Sequence, residues 1–126
     1  MKLLITTIAA VLLVGCGNPE ADSALVVACT MSGNLGATKQ AIADGADVNI
    51  KVSGNGTRVL HWAAQFSHKE IIEVLLAKGA NINAKTTDGL TPLDYTPQSK
   101  FMASETADLL RKHGSKTGAE LKAEGK

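Results

Sequence analysis

Aromatic residues are nearly absent from this chain: one Trp, one Tyr and two Phe among 126 residues. Any cluster they form is therefore a notable surface or core feature rather than background. Charge of one sign is missing too, with 13 basic against 12 acidic residues. A balance that even gives no electrostatic reason to expect nucleic acid or anionic headgroups as partners. Only two cysteines occur, Cys16 and Cys29. The longest apolar stretch, Leu3 to Val14, holds twelve apolar or small residues. That is too few to cross a hydrocarbon core of about 30 Å as a helix.

Catalytic patterns are equally scarce. His61, His68 and His113 stand seven and forty-five residues apart, with no His-Glu-x-x-His and no partner carboxylate at helical spacing. No serine sits in a Gly-x-Ser-x-Gly elbow. Gly54-x-Gly56 has neither a preceding strand nor a following Gly-Lys-Ser/Thr, so it reads as a turn and not as a phosphate loop. Asp44 and Asp47 straddle Gly45, a helix stop, which suits solvated loop roles better than acid-base work or calcium. No catalytic residue, metal site or cofactor is expected.

What is present is repetition. Gly45-Ala46-Asp47-Val48-Asn49 recurs thirty-four residues later as Gly79-Ala80-Asn81-Ile82-Asn83. Asn55-Gly56 recurs thirty-three residues on as Asp88-Gly89, with Leu60 over Leu93 and Trp62 over Tyr95, and Leu75-Leu76 falls on Leu109-Leu110 at thirty-four. The change of offset implies one inserted residue in the loop between Lys51 and Ser53. Within one period, Ile71, Ile72, Val74, Leu75 and Leu76 make a helix apolar over too wide an arc to stand alone in water. Ser67 is the expected N-cap of that helix, and Gly79 the residue that ends it in a left-handed conformation.

The pattern Leu60-His61-x-Ala63-Ala64, Ser67-His68-x-Glu70-Ile71-Ile72-x-Val74-Leu75-Leu76 and Gly79-Ala80-Asn81-Ile82-Asn83-Ala84 resembles an ankyrin repeat, a unit of about 33 residues marked by Thr-Pro-Leu-His-x-Ala. Arg58-Val59 replace Thr-Pro in the central copy, while the third keeps Thr91-Pro92-Leu93. The resemblance implies an all-α fold, a short solenoid of about three helix-turn-helix repeats with extended finger loops, over residues 22–52, 53–85 and 86–114. The helix pairs are expected at 22–31 and 35–44, at 59–66 and 69–77, and, after a short first helix cut by Pro97, from Ser99 or Lys100 to Lys112. The outer units must act as caps, with Thr38, Lys39 and Gln40 polar in the first. Residues 115–126 are expected to be a polar, frayed tail with at most a transient turn at 119–123. His61, at the histidine of the family's Leu-His element, is expected to bond backbone and a turn threonine, with Thr91 the candidate, and His68 to cap and pack.

In this family the finger tips and exposed first-helix faces meet the partner, usually another protein. Carried over by position, these are Gly54, Asn55, Thr57, Gln65 and Phe66 in the second unit and Thr87, Asp88 and Leu90 in the third. Phe66 is either a partner anchor or a ring packed on Trp62 or Tyr95; Trp62 and Tyr95 are expected in the core. Cys29 is expected to be a buried, inert thiol.

The N-terminus carries a second resemblance. Lys2, the apolar stretch and Leu13-Val14-Gly15-Cys16 look like a bacterial lipobox. This implies a lipoprotein signal peptide over 1–15, lipidation (diacylglycerol and an acyl chain such as palmitate) at Cys16, and a tether over 16–21. Gly17, in place of Asp, leans toward the outer membrane, facing the periplasm. The expected function is a membrane-anchored, monomeric protein-protein interaction module at the bacterial cell envelope, binding the membrane through Cys16 and no nucleic acid. The alternative is an inhibitor or immunity protein for an envelope enzyme or toxin.

Overall fold

A computed structural model describes residues 19–97 and 103–125. The signal peptide, Cys16, Phe101 and the start of the closing helix at Ser99 or Lys100 lie outside the described residues. Helix α1 spans Pro19–Val27 and runs on into a π turn over Ala28–Ser32; α2 spans Leu35–Ala43, α3 Val59–Gln65, α4 Lys69–Ala77, α5 Ala103–Lys112 and α6 Gly118–Ala123, with a 3-10 turn at Pro92–Tyr95 between α4 and α5. Among the described residues there is no strand, only an isolated bridge between Lys51 and Arg58. The fold is thus the all-α stack expected. Helix α1 begins at Pro19, within the stretch 16–21 for which no regular structure is expected.

Each unit fails to bury itself alone and is completed by its neighbour. Helix α1 packs on α2 and α3 on α4; across units, α3 meets the π turn on one side and the 3-10 turn on the other, while α2 meets α4. Leu25, Leu60, Ile71, Ile72, Leu75 and Leu110 are fully buried in one continuous core. Burying such a side chain contributes about 1.5–3 kcal/mol. Stacking therefore stabilises what no single helix pair can.

Three helix ends repeat the same hydrogen bonds. Ala46 N donates to Ala41 O, Ala80 N to Leu75 O and Ser115 N to Leu110 O, at 3.0, 2.9 and 2.9 Å. Gly45, Gly79 and Gly114 supply the left-handed residue, with φ of 98°, 93° and 91°. These are Schellman closures, in which a residue without Cβ reverses the chain at no steric cost. They also correct one correspondence. The buried leucine equivalent to Leu75 is Leu110, thirty-five residues on, and not Leu109. Leu60 to Leu75 spans 15 residues and Leu93 to Leu110 spans 17, so the third unit holds two more residues before its second helix.

The second finger does carry one extra residue, but between Val52 and Thr57 and not between Lys51 and Ser53. In the second unit the hairpin closes from Val52 N to Thr57 O, five residues apart; in the third it closes from Thr86 N to Leu90 O, four apart. The first unit has its own excess residue. Asn34 N reaches back six residues to Ala28 O, whereas His68 N reaches five to Ala63 O, and the π turn absorbs the difference.

Successive fingers are joined by a carboxamide ladder. Asn49 Oδ1 accepts from Asn81 N at 2.7 Å and its Nδ2 donates to Gly79 O at 3.2 Å. Asn83 does the same one unit on, to Lys116 N at 2.8 Å and Gly114 O at 3.2 Å. Only a carboxamide carries a donor and an acceptor on one fork, which is why asparagine stands at both positions. Asp47 and Asn81 hold the fingers in shape by accepting from Asn49 N and Asn83 N at 2.9 and 3.1 Å. Asp22 Oδ1 ties α1 to the first finger through Asp47 N at 2.7 Å.

Several expectations change at the ends of helices. Ser67 does not cap α4; it sits at φ 57° and closes α3, while His68 is the N-cap residue without a side-chain cap bond. The left-handed region costs a residue with a Cβ roughly 1–2 kcal/mol, partly offset by the entropy a glycine loses. Ser67→Gly is therefore expected to raise stability by about 0.5–1 kcal/mol in urea unfolding; a destabilised variant would show that the hydroxyl makes a contact that outweighs this strain. Thr38 is buried and not part of the polar cap, because its hydroxyl donates to Asn34 O at 2.8 Å and lies 3.9 Å from Cys29 Sγ. Lys39 and Gln40 are exposed. Burial pushes the Cys29 thiol up to about 11, so it stays a neutral thiol.

The tail is not frayed. Thr117 caps α6 by accepting from Glu120 N at 3.1 Å, and Glu120 accepts in return from Thr117 N at 2.7 Å. Leu121 is buried, and Gly118 N donates to Asp94 Oδ2 at 2.7 Å. The polar sequence folds into a capped helix whose first residue docks on Gly89 and Asp94 of the third unit.

Candidate functional site

The surface of interest is built where the second and third units meet. Helix α3 ends at Gln65, and Phe66 follows as its C-cap with φ −93°, which leaves both side chains exposed at the helix end. Phe66 is 47% exposed, yet its ring stacks on Trp62 with centroids 6.0 Å apart and planes at 17°. Of the two alternatives for this residue the packing on Trp62 is present, and the ring still faces water. On the other side Leu90 is 40% exposed at the foot of the third finger. Gln65, Phe66, Leu90, Asp94, Tyr95 and Pro97 line one open cleft of about 550 Å³.

The rigidity of this cleft has identifiable sources. His61 is fully buried under it, and its ring meets Tyr95 edge to face with centroids 5.0 Å apart. His61 Nδ1 accepts from Arg58 N at 3.1 Å, capping α3, which leaves Nε2 to donate to Leu90 O at 3.3 Å. Thr91 is thus not the partner of His61. Instead, Thr91 Oγ1 donates to Lys116 O at 2.6 Å and approaches Asp94 Oδ2 at 3.1 Å. Asp94 occupies in the third unit the place His61 has in the second, accepting from Thr91 N at 2.9 Å as an N-terminal cap. A carboxylate and a neutral imidazole do the same work at one repeat position.

Only a neutral imidazole can accept at Nδ1. Burial holds the His61 pKa below its usual value of 6.5, opposed by the Leu90 carbonyl. The stability from this cap is fully present above the unfolded-state value and is lost as pH falls from 6.5 through the depressed native value. Melting temperature is expected to drop between pH 7.5 and about 5, and His61→Asn is expected to flatten that part of the profile. An unchanged slope in the variant would remove His61 as its cause.

The finger positions divide. Asn55, Thr87 and Asp88 are exposed tips, and Asn55 O accepts from Thr87 N at 2.8 Å, which locks neighbouring fingers together. Gly54 is also exposed, with open space where a Cβ would stand. Thr57 corrects the expectation, for it is 1% exposed. Its backbone N and hydroxyl both donate to Asn55 Oδ1, at 3.1 and 2.5 Å, so it shapes the turn from beneath. Of the candidates, then, Gln65, Phe66 and Leu90 come together in the cleft, and Asn55, Thr87 and Asp88 rim the fingers.

Sequence reasoning missed Asp94, Tyr95 and Pro97. Tyr95 aligns with Trp62 and was read as core, but a 3-10 turn stands where the first helix would be and leaves it half-buried at the cleft wall. Val27, 53% exposed at the end of α1, and Met31, 84% exposed in the π turn, are further exposed apolar residues that sequence reasoning missed. The signal was available, since Met31 falls on Gln65 at the repeat offset of thirty-four. Among the described residues no group of three His, Cys, Asp or Glu could hold a metal ion, and no helix is long and apolar enough to cross a membrane.

Comparison with known proteins agrees with this geometry. A family profile for ankyrin repeats in three copies matches residues 3–86 and 25–120. The chain belongs to the ankyrin-repeat family. It is similar to Ankyrin repeat and SOCS box protein 5 of Bos taurus, 42% identical over 84 residues, covering 67% of this chain and 25% of that protein. It is also similar to Ankyrin repeat domain-containing protein 40 of Mus musculus, 33% identical over 79 residues, covering 60% of this chain and 22% of that protein. The chain therefore spans about a quarter or less of the length of these relatives.

Proposed function

We infer that this protein is a protein-protein interaction module, tethered to a bacterial membrane through lipid on Cys16, that presents the Phe66 cleft and the finger tips to another protein. The observation that carries the reading is the cleft itself. An exposed phenylalanine, an exposed leucine and a half-buried tyrosine stand on a braced scaffold, and aromatic anchors of that kind carry much of the energy of interfaces. The exposed tips Asn55, Thr87 and Asp88 supply a polar rim.

The membrane part of the reading rests on the Leu13-Val14-Gly15-Cys16 pattern alone. A few residues between Cys16 and α1 would hold the stack close to the lipid, and several acyl chains at about 0.8 kcal/mol per buried methylene would keep it there. In its native host Cys16→Ser is expected to shift the protein from the membrane to the soluble fraction, and an unchanged distribution would end the lipoprotein reading. For the binding surface, recovery of crosslinked protein by wild type is expected to fall in Phe66→Ala and to persist in Glu73→Ala, on the opposite helix layer. Equal recovery by both variants would move the surface elsewhere.

A further inference from the structure

The lining of the cleft specifies more than apolar contact, and the step taken here rests on the binding reading above. Phe66 and Tyr95 present aromatic rings, Leu90 and Pro97 present aliphatic surface, and Asp94 is the one charged residue among the six that line it. Asp94 is fixed in place. Its Oδ2 accepts from Thr91 N at 2.9 Å and Gly118 N at 2.7 Å and lies 3.1 Å from Thr91 Oγ1. Its Oδ1 accepts no hydrogen bond from a described residue. Among the described residues no lysine, arginine or histidine lines the cleft, and the nearest imidazole on its Phe66 side, His68, has its ring centroid 6.0 Å from that of Phe66.

We propose that the occupant of this cleft is a cationic side chain, arginine or lysine, carried on an apolar stretch of the partner protein. An aromatic face attracts a cation through its quadrupole when the charge lies within about 6 Å of the ring centroid. A carboxylate at the same wall completes the recognition by a charge-assisted hydrogen bond, for which arginine offers a planar fork. Leu90 and Pro97 take the methylenes of the cation's stem or an apolar neighbour in the peptide. Lys51 and Lys85 lie out on the fingers and not in the cleft. A partner with acidic anchors would instead find Asp94 repelling it.

The test uses the full chain and a library of random short peptides as the probe. Peptides selected on the wild-type protein are expected to share arginine or lysine beside apolar residues. Replacing that cation with glutamine is expected to weaken binding to wild type by about 2- to 30-fold. The same replacement is expected to change little against Asp94→Asn, whose one carboxamide oxygen can still accept from Thr91 N and Gly118 N but which carries no charge; unchanged melting temperature would show that the stack is intact. Phe66→Trp is expected to retain binding and Phe66→Ala to lose it. If selected peptides carry no cation yet still depend on Phe66, the cationic occupant is overturned and the docking surface stands. If peptides bind Phe66→Ala and wild type alike, both the occupant and the surface are overturned.

Discussion

Gly118→Ala is expected to destabilise the protein by about 3 kcal/mol in urea unfolding. A Cβ on residue 118 would stand 2.0 Å from Gly89 O and 3.1 Å from Gly89 C. Both are backbone atoms of a turn held by Gly89 N to Thr86 O at 2.9 Å, so neither side yields cheaply. Displacing α6 exposes Leu121, worth about 1.5–3 kcal/mol. It also breaks the bond from Gly118 N to the Asp94 carboxylate, and a hydrogen bond to a charged group is worth about 1.5–3 kcal/mol. The loss cannot exceed the docking energy of the tail, so a chain ending before Thr117 sets the upper limit. Unchanged stability in Gly118→Ala would mean that α6 does not dock on the third unit.

Leu75→Ala is the second large effect, expected at about 3 kcal/mol within the range of about 2–5 for a buried leucine truncated to alanine. Leu75 is fully buried at the centre of the continuous core, and its carbonyl receives Ala80 N at the helix end. Half-buried Leu76, at the next position, is the control and is expected to cost less. Because each unit leans on its neighbour, the loss is expected to lower the whole transition rather than to release one unit. Separate transitions observed by tryptophan fluorescence at Trp62 and by far-ultraviolet dichroism would contradict this.

The stack was legible because its signals are local. Gly45 and Gly79 mark helix ends at a fixed offset, and the apolar arc of α4 cannot be satisfied alone, so both the repeat and the need for neighbours follow from the residues. What was not legible depends on partners distant in sequence. Asn49 and Asn83 look like solvated loop residues until the next unit brings Asn81 N and Lys116 N to them. The tail reads as frayed because it is polar and contains glycine; the docking of Gly118 on Gly89 and Asp94 supplies what composition cannot show. Thr57 was placed at the surface because the family's fingers vary there, whereas here its hydroxyl turns inward to Asn55. Ser67 misled for a physical reason, since a serine before a helix suits an N-cap as well as it tolerates the end of the preceding helix.

At the candidate site the sequence found the exposed half. Gln65, Phe66 and Leu90 follow from repeat position, but the wall of Asp94, Tyr95 and Pro97 depends on a 3-10 turn replacing a helix. Pro97 foretold the shortening without showing which side chains it would uncover.

The most direct measurement is site-specific photocrosslinking in the native host, with a photoreactive residue placed in turn at Phe66 and at Lys78 on the opposite helix layer. A discrete protein adduct from position 66 and none from position 78 is the predicted result. Adducts from position 78 alone, or from neither position while the protein stays folded and abundant, would contradict a recognition surface at the cleft.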